Sequence, residues 1–90
     1  MFICDNQKNA ANKEKNGISF EEIHGFDWES ATYQNDERRD YDETRCRALG
    51  LIDGRMHVVV FTVRNKDVRL ISLRRANKRE EKLYASLKES

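Results

Sequence analysis

The alternation of apolar and polar residues in the second half of the chain predicts three β-strands. The runs at 45–52, 56–64 and 68–74 are rich in β-branched and aromatic side chains, which favour extended backbone. Asp53-Gly54 between the first two runs is typical of a two-residue type I′ turn. A short polar turn at 65–67 follows the second run, so we expect the three strands to form an antiparallel meander.

Two helices are expected before the meander. Residues 5–15 predict a polar helix with Ala10 and Ala11 on its inner side, and Gly17 is placed to end it, since glycine tolerates left-handed backbone. Ser19 then begins a second, short helix, with a glutamate three residues later at the spacing of a capping box.

A third helix is expected after the meander. Asn77 is suited to its N-cap, and Glu80 stands at the capping-box position. The residues that share one face of this helix are Ala76, Glu80, Leu83, Tyr84 and Leu87. We expect that face to pack on the sheet.

The middle segment, residues 27–44, has the weakest pattern. Residues 31–33 allow a short strand, whereas residues 35–44 are too charged for a core element and predict an exposed loop. The order of elements predicts a single α+β domain over residues 1–90. It comprises two N-terminal helices, an antiparallel meander of three to four strands, and a C-terminal helix packed on the sheet.

Charge is divided unevenly along the chain, although the formal net charge is only +1. Residues 1–44 contain five Lys or Arg and eleven Asp or Glu, whereas residues 45–90 contain twelve and five. A basic half suits a polyanion or an acidic partner. The alternative is that the two halves fold together and neutralise each other, and composition alone does not decide between the two.

Strand direction divides the basic residues of the meander into two zones. Strict alternation puts Leu70, Ser72 and Arg74 on one face of the third strand, and Arg69 and Arg75 on the other. Strand ends that meet at one end of the sheet predict a lower zone of Arg45, Arg47, Arg64 and Arg69. An upper zone lies where the last helix starts and its backbone N–H groups add positive potential. Its members are Arg74, Arg75, Lys78 and Arg79.

Several classes of protein are not expected from this sequence. No apolar run is long enough to span a bilayer and no secretory signal is evident, so we expect a cytoplasmic protein without a membrane partner. Cys4 and Cys46 have no CxxC context and are expected to be reduced thiols, with one disulfide as the alternative. His24 and His57 stand alone, so neither a metal site nor a cofactor is expected.

Four segments of the chain carry a family resemblance. They are NKEKNGISFEEI at 12–23, ETRCRALG at 43–50, VVVFTVR at 58–64 and RLISLRRANKREEKLY at 69–84. In this order and at this spacing they resemble the BrnT family of toxins from bacterial type II toxin–antitoxin systems. The resemblance implies a RelE-like fold, RNA cleavage that halts translation, and neutralisation in a hetero-oligomer by a BrnA-like antitoxin with a ribbon-helix-helix domain.

The resemblance also implies site residues for a metal-independent ribonuclease. The RNA 2′-hydroxyl would attack the adjacent phosphate while arginines stabilise the developing charge. The catalytic positions are Arg64, Arg74 and Arg75 for phosphate, Arg45 and Lys15 in support, and Glu43 as a base, although pairing of Glu43 with Arg45 is favoured. The RNA-binding positions are Arg47, Arg69, Lys78 and Arg79. Further matched positions are Asn12, Ser72 and Tyr84, of which the last two are expected to have packing roles.

One departure from the family pattern bears on catalysis, because Asn16 stands where the family usually has His. An imidazole can shuttle protons near neutral pH and an amide cannot. One interpretation is a weak or inactive relative that serves as an antitoxin-binding, regulatory module. The other, which we favour, is that this residue mainly ends the helix, since Asn tolerates left-handed backbone.

Overall fold

The structure, a computed structural model, describes residues 2–3, 6–40, 43–64 and 67–89, with side chains for 6–34, 45–63 and 67–88. The elements are β1 (Phe2–Ile3), α1 (Asn6–Asn16), a 3-10 helix (Phe20–Gly25), β2 (Thr32–Asp40), β3 (Glu43–Ile52), β4 (Arg55–Arg64), β5 (Asp67–Arg75) and α2 (Lys78–Glu89). The strands form one sheet in the order β1-β5-β4-β3-β2. Strands β2 to β5 are antiparallel neighbours, and β1 lies parallel to β5. The predicted α+β class is confirmed.

The predicted meander is confirmed and gains a long fourth strand. Asp53 and Gly54 have φ of 51° and 76°, the left-handed pair that a type I′ turn requires. Strand β2 does not end near residue 33 but reaches Asp40, and β3 begins at Glu43. The exposed loop predicted for 35–44 was therefore wrong for the described residues, because an edge strand gains backbone hydrogen bonds from its one neighbour whatever its side chains are. Residues 41–42 and 65–66 lie outside the described part.

The two predicted N-terminal helices are matched in part. Helix α1 ends as expected, since Gly17 has φ of 73° and its N–H donates to the Lys13 carbonyl at 2.8 Å. The second element is a six-residue 3-10 helix, and Ser19 is its N-cap, with the hydroxyl accepting the Glu21 N–H. Strand β1 was not predicted, because two residues are too short to show a pattern.

Helix α1 is attached to the sheet by an amide and not by an apolar stripe. Ala10 and Ala11 are exposed, so their predicted inner position was wrong, whereas Asn12 is buried. The Asn12 Nδ2 donates to the Leu73 carbonyl at 2.8 Å, and its Oδ1 accepts the Leu73 N–H at 3.1 Å. The Asn12 amide thus bonds to both backbone groups of one β5 residue, as a residue on a neighbouring strand would.

The hydrophobic core lies between the N-terminal helices and one face of the sheet. Trp28 packs edge-on against Phe26 and Phe61, with ring centroids 4.6 and 5.6 Å apart. The buried members of the core are Phe20, Ile23, Phe26, Ala48, Ile52, Val59, Phe61, Leu70 and Leu73. The sheet face that this core leaves uncovered is the face toward which α2 folds.

A β-bulge interrupts the alternation of side chains along β5. Val60 pairs with Ser72, but the next residue on β4, Phe61, pairs with Leu70. Ile71 is therefore the extra residue of the bulge. Because of this extra residue, every residue of β5 before Ile71 points to the face opposite to the one that a regular strand would give it.

The bulge changes which residues of β5 lie together. Leu70 and Leu73 both belong to the core, three positions apart, which strict alternation forbids. Arg69 consequently shares the opposite face with Ser72 and Arg74. The predicted grouping of Leu70 with Arg74 was wrong, because it assumed a regular strand.

Gly50 on β3 lies against the ring of Phe26. A Cβ at this position would be 2.6 Å from the Phe26 Cζ and 3.1 Å from the Ala31 Cβ. We expect Gly50→Ala to lower the free energy of unfolding by about 1–3 kcal/mol, as overpacking of a core does. The measurement is urea denaturation followed by the fluorescence of Trp28, the single tryptophan.

The matched control for this variant is Gly25→Ala. A Cβ there would meet its nearest neighbour, the Ile52 Cγ2, at an ordinary 3.6 Å. Equal stability losses in the two variants would contradict the close approach of β3 to Phe26.

Candidate functional site

Among the described side chains, four arginines share the face of the sheet opposite the core. Residues that lie directly opposite each other on antiparallel strands point to the same side, so the pairings of β3, β4 and β5 assign the side chains to faces row by row. We call this surface the arginine face. Its arginines are Arg45, Arg47, Arg69 and Arg74.

The first row of the arginine face crosses three strands. Thr62 on β4 pairs with Arg45 on β3 and with Arg69 on β5. Arg69 is exposed and Arg45 is half-buried, with its Nε–H buried and without an acceptor. No acidic side chain in the described part of the chain pairs with either arginine. Their guanidinium groups therefore offer donors to an anion.

The other two arginines are joined by a carboxylate from α2. Arg74 donates to Glu80 through both terminal nitrogens, Nη1 to Oε1 at 2.7 Å and Nη2 to Oε2 at 2.6 Å. The Arg47 Nη2 donates to the same Oε2. Glu80 also closes the predicted capping box, which is confirmed, since its Oε1 accepts the Asn77 N–H and its own N–H donates to the Asn77 Oδ1, both at 2.9 Å.

The electrostatics of this cluster keep Glu80 ionised. The hydrogen bonds from Arg74 hold the pKa of the Glu80 carboxyl at about 2, against an ordinary value of 4.5, despite the opposing effect of burial. The same bonds raise the pKa of Arg74 further. A carboxylate with so low a pKa and with both oxygens occupied is a poor proton acceptor, so Glu80 is not suited to act as a general base.

Comparison with known protein families identifies the family of this chain. A family model described as a ribonuclease toxin, BrnT, of a type II toxin-antitoxin system matches residues 4–80. The chain belongs to the BrnT family. Its family is thus one of ribonuclease toxins that have an antitoxin partner. A comparison with curated proteins gave no match.

The arginine face of this BrnT chain differs from the two zones predicted from strand direction. Arg47 was assigned to a lower zone with Arg69, but Glu80 holds it beside Arg74, and that assignment was wrong. Arg74 and Arg75 were grouped in one upper zone, but the Arg75 position pairs with His57 and points to the core side of the sheet. Arg47 lies beside Arg74 because Glu80 of α2 binds both. Arg75 points to the other side because successive side chains of a strand alternate.

The remaining predicted site residues of this BrnT chain lie away from the first row or outside the described side chains. Lys15 is exposed on α1, and Lys78 and Arg79 are exposed in the first turn of α2. Glu43 and Arg64 contribute backbone to β3 and β4, but their side chains are not among those described. Their roles stay predictions.

Glu80 is the residue of the site whose full role the sequence analysis missed. It was predicted only as a capping residue, although it also binds two arginines. A usable signal was present, because Arg74 lies six residues before Glu80 across a strand-to-helix turn. The partner Arg47 is 33 residues away and gives no local signal.

Asn16, where the BrnT family usually has His, takes part in the anchor of α1. Its Nδ2 donates to the Asn12 Oδ1 at 2.8 Å and lies 3.4 Å from the Leu73 carbonyl oxygen. Asn16 is the last residue of α1, but Gly17 and not Asn16 has the left-handed backbone, so the predicted reason for Asn at this position was wrong. Its structural contact is the support that its side chain gives to Asn12. Tyr84 also has a structural contact, since its hydroxyl donates to the Ser30 carbonyl at 2.9 Å and ties α2 to the segment before β2.

The remaining predictions from the sequence concern the cysteines, membrane spans and metal sites. Cys46 is half-buried against the core, and Cys4 lies outside the described residues. Within the described ranges, no helix is long and apolar enough to cross a membrane. The described side chains likewise include no group of three or more His, Cys, Asp or Glu that could hold a metal ion.

Proposed function

We propose that this BrnT chain is an endoribonuclease that cleaves RNA on the arginine face, without a metal ion. The observation that carries the proposal is the row formed by Arg45, Thr62 and Arg69. Two strand spacings separate the two arginines, or roughly 10 Å at the backbone. The long, flexible side chains of Arg45 on β3 and Arg69 on β5, on either side of β4, can both reach one phosphodiester group over that distance.

The proposed reaction is an intramolecular displacement within the RNA. The 2′-hydroxyl loses its proton to a base, its oxygen bonds to the adjacent phosphorus, and the bond to the 5′-oxygen breaks. The 5′-oxygen leaves as a hydroxyl after taking up a proton, and a 2′,3′-cyclic phosphate remains. Arg45 and Arg69 stabilise the extra negative charge on the phosphorus oxygens in the transition state.

The proposed reaction also requires a base. Glu80 is unsuitable for the reason given above, so Glu43 is the carboxylate that we propose. It precedes Arg45 by two residues on β3, the spacing of positions on one face of a strand. If Glu43 instead pairs with Arg45, its role is to orient the guanidinium group.

The proposal includes the biological setting that the family implies. Cleavage of messenger RNA would halt translation in the cytoplasm. A ribbon-helix-helix antitoxin of the BrnA type would neutralise the chain, with the arginine face as the surface to be covered. Further cationic residues that we propose to offer to RNA or antitoxin are Lys15, Arg64, Arg75, Lys78 and Arg79.

The test is the effect of Arg45→Ala and Arg69→Ala on RNA cleavage. We expect each variant to lower the cleavage rate about 10- to 100-fold, the loss of one charge-assisted contact of about 1.5–3 kcal/mol to the transition state. The assay uses purified protein with free RNA and with ribosome-bound message, and it maps 5′-hydroxyl ends with and without EDTA. The control is Lys82→Ala, which removes one exposed charge from α2 away from the first row.

Wild-type cleavage by Arg45→Ala, or cleavage abolished by EDTA, would contradict this mechanism. The second candidate function, an inactive antitoxin-binding module, is favoured by Asn16 in place of the family His and by the pairing of two arginines with Glu80. It predicts that the natural chain cleaves no RNA and does not slow growth. It also predicts that Asn16→His gains toxicity.

A further inference from the structure

A groove on the core side of the sheet has no role in the cleavage proposed above. It measures about 790 Å³ and lies between the end of α1, the loop after it, the β3–β4 hairpin and the end of β5. Small-molecule sites commonly have volumes of about 300–1,000 Å³ and combine apolar walls with a few polar groups. The groove has that size, and its lining combines two isoleucines with polar and charged side chains.

Three cationic side chains from three different elements line the groove. Lys13 comes from α1, Arg55 from β4 and Arg75 from β5, and all are exposed. Two acids, Glu22 and Asp53, line the groove as well, but no ion pair among the described side chains joins them to these cations. Arg75 on β5 lies opposite His57 on β4. Arg55, two residues before His57, is therefore the diagonal neighbour of Arg75, and such neighbours are about 7–8 Å apart. Two arginines at this separation suit the oxygens of one phosphate group.

His57 gives the groove a hydrogen-bonding group of defined orientation. Its ring is buried in the wall, with the Nδ1 2.7 Å from the Arg55 carbonyl oxygen. A carbonyl oxygen only accepts, so the Nδ1 carries the hydrogen, and in the neutral ring the Nε2 is left as an acceptor. Among the described contacts the Nε2 has no partner. It can therefore accept a hydrogen bond from a hydroxyl group of a ligand.

The remaining walls supply apolar surface and an amide. Ile18 and Ile52 line the groove beside the cations. Asn16 stands at the end of α1, and its described hydrogen bonds use the Nδ2 and not the Oδ1. A phosphate-binding pair, a hydroxyl acceptor, an apolar wall and an amide are the groups that a nucleotide requires. Inorganic anions would use only the first of these.

We propose that this groove binds a nucleotide. The phosphate contacts Arg55 and Arg75, a ribose hydroxyl donates to the His57 Nε2, and the base lies against Ile18 and Ile52. The ligand is either a free nucleotide or one nucleotide of an RNA strand, since both present the same groups. The proposal is independent of cleavage, because the groove is on the side of the sheet opposite the arginine face.

The test follows the ring nitrogens of the two histidines by NMR during titration with adenosine 5′-monophosphate. This probe contains no internucleotide bond, so it reports binding whether or not the chain cleaves RNA. We expect the His57 signals to shift with saturation while those of His24, which does not line the groove, stay in place. Arg55→Ala should weaken binding about tenfold or more, whereas Lys82→Ala should leave it unchanged.

Other outcomes separate the sources and the competing ligands. A short single-stranded RNA is titrated into the Arg45→Ala variant, and its binding is read from the His57 signals. If the RNA binds more tightly than the mononucleotide, the RNA strand is the ligand. Equal binding identifies the free nucleotide. The proposal is overturned if His57 does not respond to either probe, or if inorganic phosphate binds as tightly as the mononucleotide. It is also overturned if Arg55→Ala weakens only the binding of the antitoxin protein.

Discussion

Glu80→Ala is expected to lower the free energy of unfolding by about 3–4 kcal/mol. The change leaves the guanidinium groups of Arg47 and Arg74 without their shared partner, and removal of one member of a buried ion pair costs about 3–5 kcal/mol. The two arginines remain about a third exposed, at 32% and 37% of their side chains, so solvent reduces that cost. Loss of the acceptor for the Asn77 N–H adds about 1 kcal/mol.

Glu80→Gln separates the two contributions. Glutamine serves in a capping box as glutamate does, so this variant keeps the bond to the Asn77 N–H and loses the charge. We expect a loss of about 2–3 kcal/mol, and the difference from Glu80→Ala measures the cap. The matched control is Glu81→Gln, an exposed carboxylate in the same helical turn, for which the change should stay within about 0.5 kcal/mol.

The pH dependence of stability gives an independent check on the same residue. The folded-state pKa of Glu80 is about 2, below its ordinary value of 4.5, so the folded chain favours the ionised form. Its contribution is therefore complete above about pH 5 and is lost as the pH falls from 4.5 toward 2. Urea denaturation at pH 7, 4 and 3 should show a smaller loss of stability on acidification for Glu80→Gln than for the parent chain. Parallel profiles for the two would show that folding does not lower the pKa of Glu80.

Local signals in the sequence were enough for the elements that depend on neighbouring residues. The Asp53-Gly54 turn, the glycine after α1 and the capping box of α2 were predicted because each depends on backbone geometry within four residues. The strand predicted at 31–33 was shorter than β2 because the second half of β2 carries charges. Its backbone hydrogen bonds to β3 do not depend on side-chain polarity.

The arrangement of the site depended on features that leave no local trace. Ile71 forms the bulge of β5, but it stands directly after Leu70, and nothing in this apolar run shows which residue is the inserted one. Without the bulge, Arg69 would point into the core side, and the row with Arg45 would not exist. One inserted residue thus decides whether the two arginines meet on one face, and no residue type marked it in advance.

Asn12→Ala is the second large effect, with an expected loss of about 3–4 kcal/mol in the free energy of unfolding. The amide donates to the carbonyls of Leu73 and Ile18 at 2.8 and 2.9 Å and accepts the Leu73 N–H at 3.1 Å. Alanine would leave the buried Leu73 N–H unpaired and the Leu73 carbonyl with only the 3.4 Å contact from the Asn16 Nδ2. A buried group left unpaired costs about 1–3 kcal/mol. Asn12→Asp should be at least as damaging at pH 7, because a carboxylate oxygen would then face two carbonyl oxygens.

Two control variants on the same helix make this prediction specific. Asn6→Ala removes an exposed amide and should change stability by no more than about 0.5 kcal/mol. Asn16→Ala removes a donor to Asn12 and should have an intermediate effect of about 1 kcal/mol. The measurements are urea denaturation by Trp28 fluorescence and hydrogen exchange of the Leu73 amide, which should lose protection only in the Asn12 variants. An Asn12→Ala chain as stable as Asn6→Ala, with the Leu73 amide still protected, would mean that α1 is held to β5 by other contacts.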